Sequence, residues 1–403
     1  MKDKRIAILF LTIFIDLLGF GVVIPILPNL AKELALDSQL SVNGDIAVGI
    51  VAAAFSLIQF LFAPIFGSIS DRIGRRPIIL GSVIVNAMGY VLFAFSGSFW
   101  LLLIARIVSG FGSANISAAQ AYIADITEPQ DRAKKMGIIG AAFGLGFVFG
   151  PPIGGKLYDI GGPIQGLMLV GGFTAILCLL NFVLAYFLLP ESLVNKTVEK
   201  RKASDTFKGM VSAWSIEIIG ELLLIGFVYV AAFSMMQINA SILWKEKYHL
   251  NPAEIGNIFG IIGIFSAIVQ GGLIGLFQNK IGLKKMLIWG CPIAAIGLTL
   301  IPLPSVEWFY PVQIVAILFL ALGNGFLMPS INSLISINTP AESQGKMLGI
   351  FQSISSLARV IGPVLSGFLY VITPGLPYYT GGVFMLMAFV LALVLSNKLT
   401  EVK

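Results

Sequence analysis

Three charged side chains fall inside long apolar stretches of this 403-residue sequence: Asp16, Arg106 and Arg359. A charge in an apolar membrane interior costs about 2.5–3.5 kcal/mol on insertion scales, so such a residue usually has a partner or a function. Asp16 can neutralise itself by binding a proton, and we therefore predict that it couples protons to the protein's activity. The alternative is a structural ion pair between Asp16 and Arg106. Arg359 could contact an anionic substrate or make a structural hydrogen bond.

A second group of charges lies in the segment GSISDRIGRRPIIL, from Gly67 to Leu80, between two apolar stretches. Asp71, Arg75 and Arg76 occur here close together. Two interpretations are open. The charges could keep a turn hydrated, or they could make contacts on which the function depends.

The composition indicates whether water or lipid surrounds these residues. The chain is 57% hydrophobic and 11% charged, whereas soluble domains carry about 25% charged residues. Apolar runs of about 20 residues, enough to cross a bilayer as helices, recur along it. We predict an all-α membrane protein with about twelve spans. These are at 6–31, 46–70, 77–96, 99–124, 136–158, 165–189, 219–244, 254–278, 285–303, 309–337, 346–371 and 376–396.

Basic residues indicate the orientation. Most of the 26 Lys and Arg residues fall in the termini and in alternate connections, which marks those segments as cytoplasmic. We therefore predict a multi-pass protein of the cell (inner or plasma) membrane with both termini in the cytoplasm. The net charge of +6 is explained by this topology, and we expect no nucleic-acid partner.

Sites for metals, cofactors and catalysis are not indicated. The only histidine, His249, has no ligand-spaced companion, and Cys178 and Cys291 lie in separate predicted helices. The apolar interior contains no nucleophile–base pair. We expect no cofactor, no metal and no enzymatic activity.

The two halves of the sequence resemble each other. The segment from Gly67 matches one from Gly275, and KKMGIIGAAFGLGFVFGPPIGGKLY from Lys134 matches KMLGIFQSISSLARVIGPVLSGFLY from Lys346. A long polar stretch separates the halves. We predict a six-helix half over 1–189, a cytoplasmic linker over 190–218 and a second six-helix half over 219–403. Parallel repeats of this kind are expected of alternating-access transporters, which bind substrate between the halves.

Four motifs carry a family resemblance. Gly67, Asp71, Arg72, Gly74, Arg75 and Arg76 fit the loop between helices 2 and 3 of the major facilitator superfamily. The segments DLLGFGVVIPILP, RIVSGFGSA and GLGFVFGPPIGG resemble helices 1, 4 and 5 of its twelve-helix drug–proton antiporters, which include the tetracycline efflux proteins. The chain is identified as a member of this superfamily. The resemblance implies that helix 11 packs between the halves, which favours a structural role for Arg359.

The charged segment then has an expected role. Asp71 can meet a helix N-terminus of the other half, where partial positive charge gathers, and Arg75 or Arg76 can reach Asp125. Such contacts would stabilise the state that is closed on the cytoplasmic side. We predict a gating latch, made of Gly67, Asp71, Arg72, Gly74, Arg75, Arg76 and Asp125. A hydrated turn would explain the arginines but not Asp71 or the glycines.

A motif in the fifth predicted helix indicates the direction of transport. Its antiporter signature contains Gly146, Gly150, Pro151, Gly154 and Gly155. Small residues allow close helix packing, and we expect this face to pack against the other half, with or without sliding. The resemblance implies export by antiport.

The substrate is defined only as a class. Aromatic and amide side chains could line an amphiphilic cavity together with Arg106 and Arg359; they are Phe20, Gln59, Asn115, Gln120, Phe233, Gln237, Asn239 and Asn324. The chain departs from the tetracycline exporters, because helices 8 and 9 carry no acid or histidine in their interiors. We predict a monomer that exports a small amphiphilic or drug-like molecule against protons. Transport of a sugar, metabolite or lysolipid is the alternative, and a membrane receptor is a more distant one.

Overall fold

The computed structural model describes residues 2–38, 42–127, 132–193, 211–340 and 344–398. These residues form helices and connections without a strand, and the predicted all-α membrane fold is confirmed. The first seven helices are α1 (Lys2–Val23), α2 (Leu27–Asp37), α3 (Gly44–Ile73), α4 (Arg75–Ala94), α5 (Phe99–Gly112), α6 (Ile116–Ile126) and α7 (Arg132–Leu188). The other six are α8 (Glu217–Tyr248), α9 (Pro252–Ile268), α10 (Ile274–Leu300), α11 (Phe309–Ile337), α12 (Gln344–Ile372) and α13 (Leu376–Ser396).

In the described part of the chain, two of the twelve predicted spans do not appear as separate membrane-spanning helices. Within the described ranges, ten helices are long and apolar enough to cross a membrane. The predicted spans 136–158 and 165–189 are joined in α7, whose backbone is non-helical at Gly162. The apolar helix α9 has 17 residues and continues into α10 through a π-helical turn, Val269–Leu273.

The prediction of one continuous span over 6–31 was wrong, because two helices share this range. The helix α1 ends at Val23, and α2 begins at Leu27 with Pro28 in its first turn. The three residues between them, which include Pro25, form turns in which Ile24 and Ile26 donate to the carbonyls three residues back. Proline has no N–H and interrupts the helical hydrogen-bond pattern, so one apolar run becomes two helices.

Glycine permits the sharp connections at equivalent places of the sequence repeat. Gly74, between α3 and α4, has φ = 114°, and Gly282, within α10, has φ = 79°. These two glycines occupy matching positions of the repeated segments that begin at Gly67 and Gly275. Positive φ is accessible to glycine without steric cost. The repeated sequence therefore encodes a repeated turn.

The chain forms two compact units. Unit 1 contains Met1–Gly44, Ala54–Asp205 and Asn251–Gly263, and unit 2 contains Asp45–Ala53, Thr206–Leu250 and Ile264–Lys403. The units follow the predicted halves except that they exchange the segments 45–53 and 251–263. The predicted linker, 190–218, lies outside the described residues between 194 and 210, and the boundaries of the halves stay a prediction.

Each unit has its own packed interior. In unit 1 the buried side chains of Leu9, Ile79, Tyr122 and Ala185 join four helices. In unit 2 Met286 and Phe326 belong to a second cluster. Lipid is as apolar as these side chains, so close packing rather than release from water holds the helices together.

Candidate functional site

Asp16 lies in unit 1, with 9% of its surface exposed, and amide groups are its hydrogen-bond partners. The Nδ2 of Asn115 donates to its Oδ2 at 2.8 Å, and the Nδ2 of Asn86 donates to its Oδ1 at 3.4 Å. Asn86 and Asn115 are themselves buried. An acid in this setting is held by neutral donors.

A break in the helical backbone brings Asn115 to this position. Residues Ser113–Asn115 form a 3-10 turn between α5 and α6. Gln59 donates from Nε2 to the carbonyl of Ser113 at 3.0 Å, which ties α3 to the turn. A Cβ at Gly112 would lie 2.6 Å from the backbone N of Asn86. The absence of a side chain at Gly112 thus lets the two asparagines approach the same carboxylate.

Arg106 does not neutralise Asp16. The ion pairs found among the described residues do not include one between these two side chains, which contradicts the predicted alternative of a structural pair. Arg106 is 3% exposed, and its guanidinium carbon lies 4.4 Å from the ring centroid of Phe55. Its Nε is buried without a hydrogen-bond partner. The Phe55 ring contacts that of Phe20 at 5.4 Å.

Arg75 is the centre of the charged segment. Its Nη2 lies 2.6 Å from Oδ1 of Asp71, its Nε donates to Oδ2 of Asp125 at 3.1 Å, and its Nη1 donates to Oγ of Ser70 at 2.6 Å. The side chain of Arg75 is 8% exposed, against 30% for Asp71 and 22% for Asp125. The contact expected between Arg75 and Asp125 is present within unit 1, and the gating role of these residues stays a prediction.

Glu191 completes this network and was missed by the sequence reasoning. Its Oε1 accepts from the backbone N–H of Arg75 at 2.9 Å, and its Oε2 accepts from that of Arg76 at 3.2 Å. These N–H groups begin α4, where Gly74 has no side chain with which to cap them. A carboxylate at a helix N-terminus also meets the positive end of the helix dipole. The signal in the sequence was the acid in PESL, directly after the sixth predicted span.

Three further latch residues differ in their surroundings. Arg72 is exposed. Arg76 lies over the ring of Tyr186 at 5.3 Å and donates to the carbonyl of that residue. A Cβ at Gly67 would lie 3.5 Å from Ser117, an ordinary contact, so the packing at this position does not require glycine.

The glycine face of α7 packs against two elements of unit 1. A Cβ at Gly146 or Gly150 would lie within 3 Å of the α1 backbone, and one at Gly154 would collide with the carbonyl of Val22. Gly155 meets Pro252, and Pro151 meets Gly256, both on the segment that begins α9. This segment comes from the second half of the sequence but belongs to unit 1, so the expected packing of this face against the other half stays a prediction.

The other predicted cavity residues are distributed along the chain. Gln120 in α6 and Asn324 in α11 are half-buried. Gln237 and Asn239 in α8 are buried, and neither Nε2 of Gln237 nor Nδ2 of Asn239 has a partner among the residues described.

Phe233 and Arg359 in unit 2 have weaker contacts. Phe233 packs on Tyr229 with ring centroids 6.0 Å apart. Arg359 is half-buried, and its Nη2 lies 3.5 Å from Oγ of Ser356.

The acids at the start of α8 have a partner near the C-terminus. The Nζ of Lys398 lies 2.7 Å from Oε1 of Glu221 and 2.9 Å from Oε1 of Glu217. The hydrogen bond to Glu221, followed by that to Glu217, raises the pKa of Lys398 above its ordinary value. Glu217 and Glu221 are therefore both ion-paired with Lys398, which follows α13.

Comparison with known proteins identifies the family. The sequence profile described as Major Facilitator Superfamily matches residues 9–363, and again 222–402. The chain belongs to the major facilitator superfamily. It is therefore a transporter of that superfamily, and the family points to transport rather than catalysis.

Named relatives agree with this membership. The tetracycline resistance protein of class C from Escherichia coli is 29% identical, over 92% of this chain and 91% of its own length. The class H protein from Pasteurella multocida is 28% identical, over 98% and 95% of the two chains.

Two solved structures share the fold over 97% and 98% of this chain. The human organic anion transporter MFSD10 (TETRAN) has a TM-score of 0.74 and 24% identity, covering 97% of this chain and 99% of its own. A POT family transporter in complex with a thioalcohol-conjugated peptide has a TM-score of 0.77 and 15% identity, covering 98% and 96%. At identities of 24% and 15%, these two structures are evidence for the fold only.

Proposed function

We propose that this major facilitator superfamily protein exports a small amphiphilic or drug-like molecule in exchange for protons, by alternating access. The likeness to tetracycline resistance proteins supports a drug-like substrate, and the match of the glycine-rich face of α7 to the antiporter signature supports export. The observation that carries the proposal is Asp16, a buried acid held by two amides and by no cation.

The amide environment suits an acid that changes its protonation state. A neighbouring guanidinium would hold a carboxylate in its charged form, whereas neutral amides stabilise the charge with less bias. The Nδ2 groups of Asn86 and Asn115 donate to the ionised carboxylate. In this scheme the ionised and the neutral forms of Asp16 both remain compatible with the fold.

Asn86 can serve the neutral form as well. Its Oδ1 is buried without a partner, and an amide carries its donor and its acceptor on opposite sides. If a proton binds at Oδ1 of Asp16, rotation of the Asn86 amide by about 180° turns its Oδ1 toward the new hydroxyl as an acceptor. Proton uptake would then replace the hydrogen bond from Nδ2 of Asn86 with one from the protonated Asp16 to Oδ1 of Asn86, and it would turn Nδ2 to the side where Oδ1 now has no partner.

The latch residues would act at another step. The network of Asp71, Arg75, Asp125 and Glu191 fastens the start of α4 to the ends of α3 and α6 and to the chain after α7. We propose that this fixed surface stabilises the state closed on the cytoplasmic side. A charge-assisted contact of about 1.5–3 kcal/mol is enough to shift a two-state equilibrium about tenfold or more.

Flux in proteoliposomes tests the coupling. We expect Asp16→Asn to lose uphill transport driven by an imposed pH gradient while it keeps downhill exchange of the same substrate. The matched control is Asp37→Asn, which makes the same acid-to-amide change at an exposed position of α2. Continued accumulation against the gradient by Asp16→Asn would mean that protons are not coupled at Asp16.

The direction of flux separates export from the alternative. In vesicles of known orientation, a proton gradient that drives substrate out of the cytoplasmic compartment supports antiport. Proton-driven uptake of a sugar, metabolite or lysolipid would instead establish the alternative substrate classes.

A further inference from the structure

We infer that Arg106, with the rings of Phe55 and Phe20, forms a subsite for the carboxylate of an aromatic organic anion. This inference rests on the proposed transport function and narrows its substrate class. It begins from a buried cation in unit 1 that has no ion-pair partner among the described residues. Arg106 is buried to 97%, being 3% exposed, and it makes no ion pair with any of the residues described.

The available acid is already satisfied by other groups. Asp16, the buried carboxylate of this unit, accepts hydrogen bonds from Asn86 and Asn115. The guanidinium of Arg106 instead lies against the face of Phe55, and its Nε has no acceptor. A ring face attracts a cation but accepts none of its five N–H hydrogen bonds. A buried charge left in this condition is costly, and an anion that binds beside it removes that cost.

The chemistry of guanidinium selects the anion. Its planar, fork-like set of donors matches the two oxygens of a carboxylate in a bidentate arrangement. The surroundings select what the carboxylate is attached to. Phe20 packs on Phe55 at 5.4 Å and on Phe147 at 6.3 Å, so a row of three rings begins at Phe55, the ring that contacts Arg106. Rings prefer to pack on rings in offset or edge-to-face arrangements. An aryl carboxylate satisfies both requirements.

The subsite also lies near the proposed proton site. Phe20 follows Asp16 by one helical turn on the same face of α1. An anion at Arg106 and a proton at Asp16 would thus occupy neighbouring positions in the same unit, and each would change the electrostatic environment of the other.

Equilibrium binding tests the inference without any gradient. The probes are naphthalene-2-carboxylate and its uncharged analogue naphthalene-2-carboxamide, titrated calorimetrically into the purified full-length protein at fixed neutral pH. We expect the protein to bind the carboxylate at least tenfold more tightly than the amide. Equal affinity for the two probes, or no binding of either, would overturn the inference.

Variants assign the preference to its residue. We expect Arg106→Gln to abolish the tenfold preference and Arg106→Lys, which keeps the charge but not the fork, to retain part of it. Lys156→Gln removes a positive charge at an exposed position of α7 and should leave the preference unchanged. If Arg359→Gln rather than Arg106→Gln abolishes it, the anion binds at Arg359 and the inference is wrong.

The wild-type comparison of the two probes remains decisive even if Arg106→Gln does not fold. The binding result is also independent of the coupling result. A protein that prefers the carboxylate but shows no proton-driven flux would retain the anion subsite while losing the proposed antiport. Proton-driven flux of a neutral substrate, without any preference for the carboxylate, would do the reverse.

Discussion

The Nε of Arg75 lies 3.1 Å from Oδ2 of Asp125, and this contact joins the first residue of α4 to the end of α6. The same guanidinium reaches Asp71 at the end of α3. One side chain therefore holds three helix ends within unit 1. Its 8% exposure sets it apart from both of its more exposed acid partners.

We expect Arg75→Ala to be far more damaging than Asp71→Asn. The arginine variant leaves two carboxylates facing an empty site, and breaking a buried pair costs about 3–5 kcal/mol. The aspartate variant removes one partly exposed partner, for which about 0.2–1 kcal/mol is typical. Thermal unfolding in detergent measures both. Equal losses would show that the network does not centre on Arg75.

Glu191→Ala should uncap α4. The two N–H groups of Arg75 and Arg76 would lose their acceptor, and the loss of a helix cap costs about 0.5–2 kcal/mol. Glu191→Gln keeps an acceptor oxygen and should lose less, because the charge at the helix N-terminus contributes about 0.3–1 kcal/mol of the total. The unfolding midpoints of the wild type, Glu191→Gln and Glu191→Ala check this order. If Glu191→Gln is as unstable as Glu191→Ala, the contribution is from charge alone.

Three glycines separate backbone strain from steric clash. Gly74→Ala combines a positive φ with a Cβ placed 2.9 Å from Cδ of Glu191, whereas Gly282→Ala has a positive φ and no atom within 4 Å. Gly67→Ala has neither problem. A strained conformation costs about 1–3 kcal/mol, so stability should fall in the order Gly67→Ala, Gly282→Ala, Gly74→Ala. Chemical unfolding of each variant gives the ranking, and a Gly67→Ala loss as large as that of Gly74→Ala would contradict it.

Gly154→Ala should impair the packing of α7 on α1. The added methyl group would meet the Val22 carbonyl, and overpacking of this kind costs about 1–3 kcal/mol. Gly144→Ala is the matched control on the same helix, because a Cβ there has no atom within 4 Å. Thermal stability and substrate flux of both variants provide the measurement. Indistinguishable variants would mean that α1 yields to the methyl group at little cost.

The fold was largely predictable because lipid imposes a simple rule on the sequence. Apolar length marks a span, and glycine at the repeated position of Gly74 and Gly282 marks a turn. The boundaries at Val23 and Leu27 were not predictable from hydropathy. There the chain changes conformation around Pro25 without changing its polarity.

Several residues of the candidate site were selected from the sequence, and so was the contact of Arg75 with Asp125, but the hydrogen-bond partners of Asp16 were not. Asp16 and Asn115 were both selected, but their contact depends on a 3-10 turn that hydropathy does not signal. The sequence left an ion pair between Asp16 and Arg106 open as the alternative to proton coupling, since the two opposite charges lie in apolar helices. Neutral amides took the place of that ion pair. Glu191 was missed because a cap supplied by a residue more than a hundred positions away has no local sequence signature.

The cap supplied by Glu191 has a consequence for producing this transporter as two separate polypeptides. A first fragment that ends at Leu193 carries its own cap for α4, whereas one that ends at Leu189 begins that helix with two unpaired N–H groups. Co-expression with a fragment that starts at residue 211 should therefore yield more assembled protein from the longer first fragment. The four residues Pro190 to Leu193 belong to the architecture of the first fragment rather than to the connection that follows it.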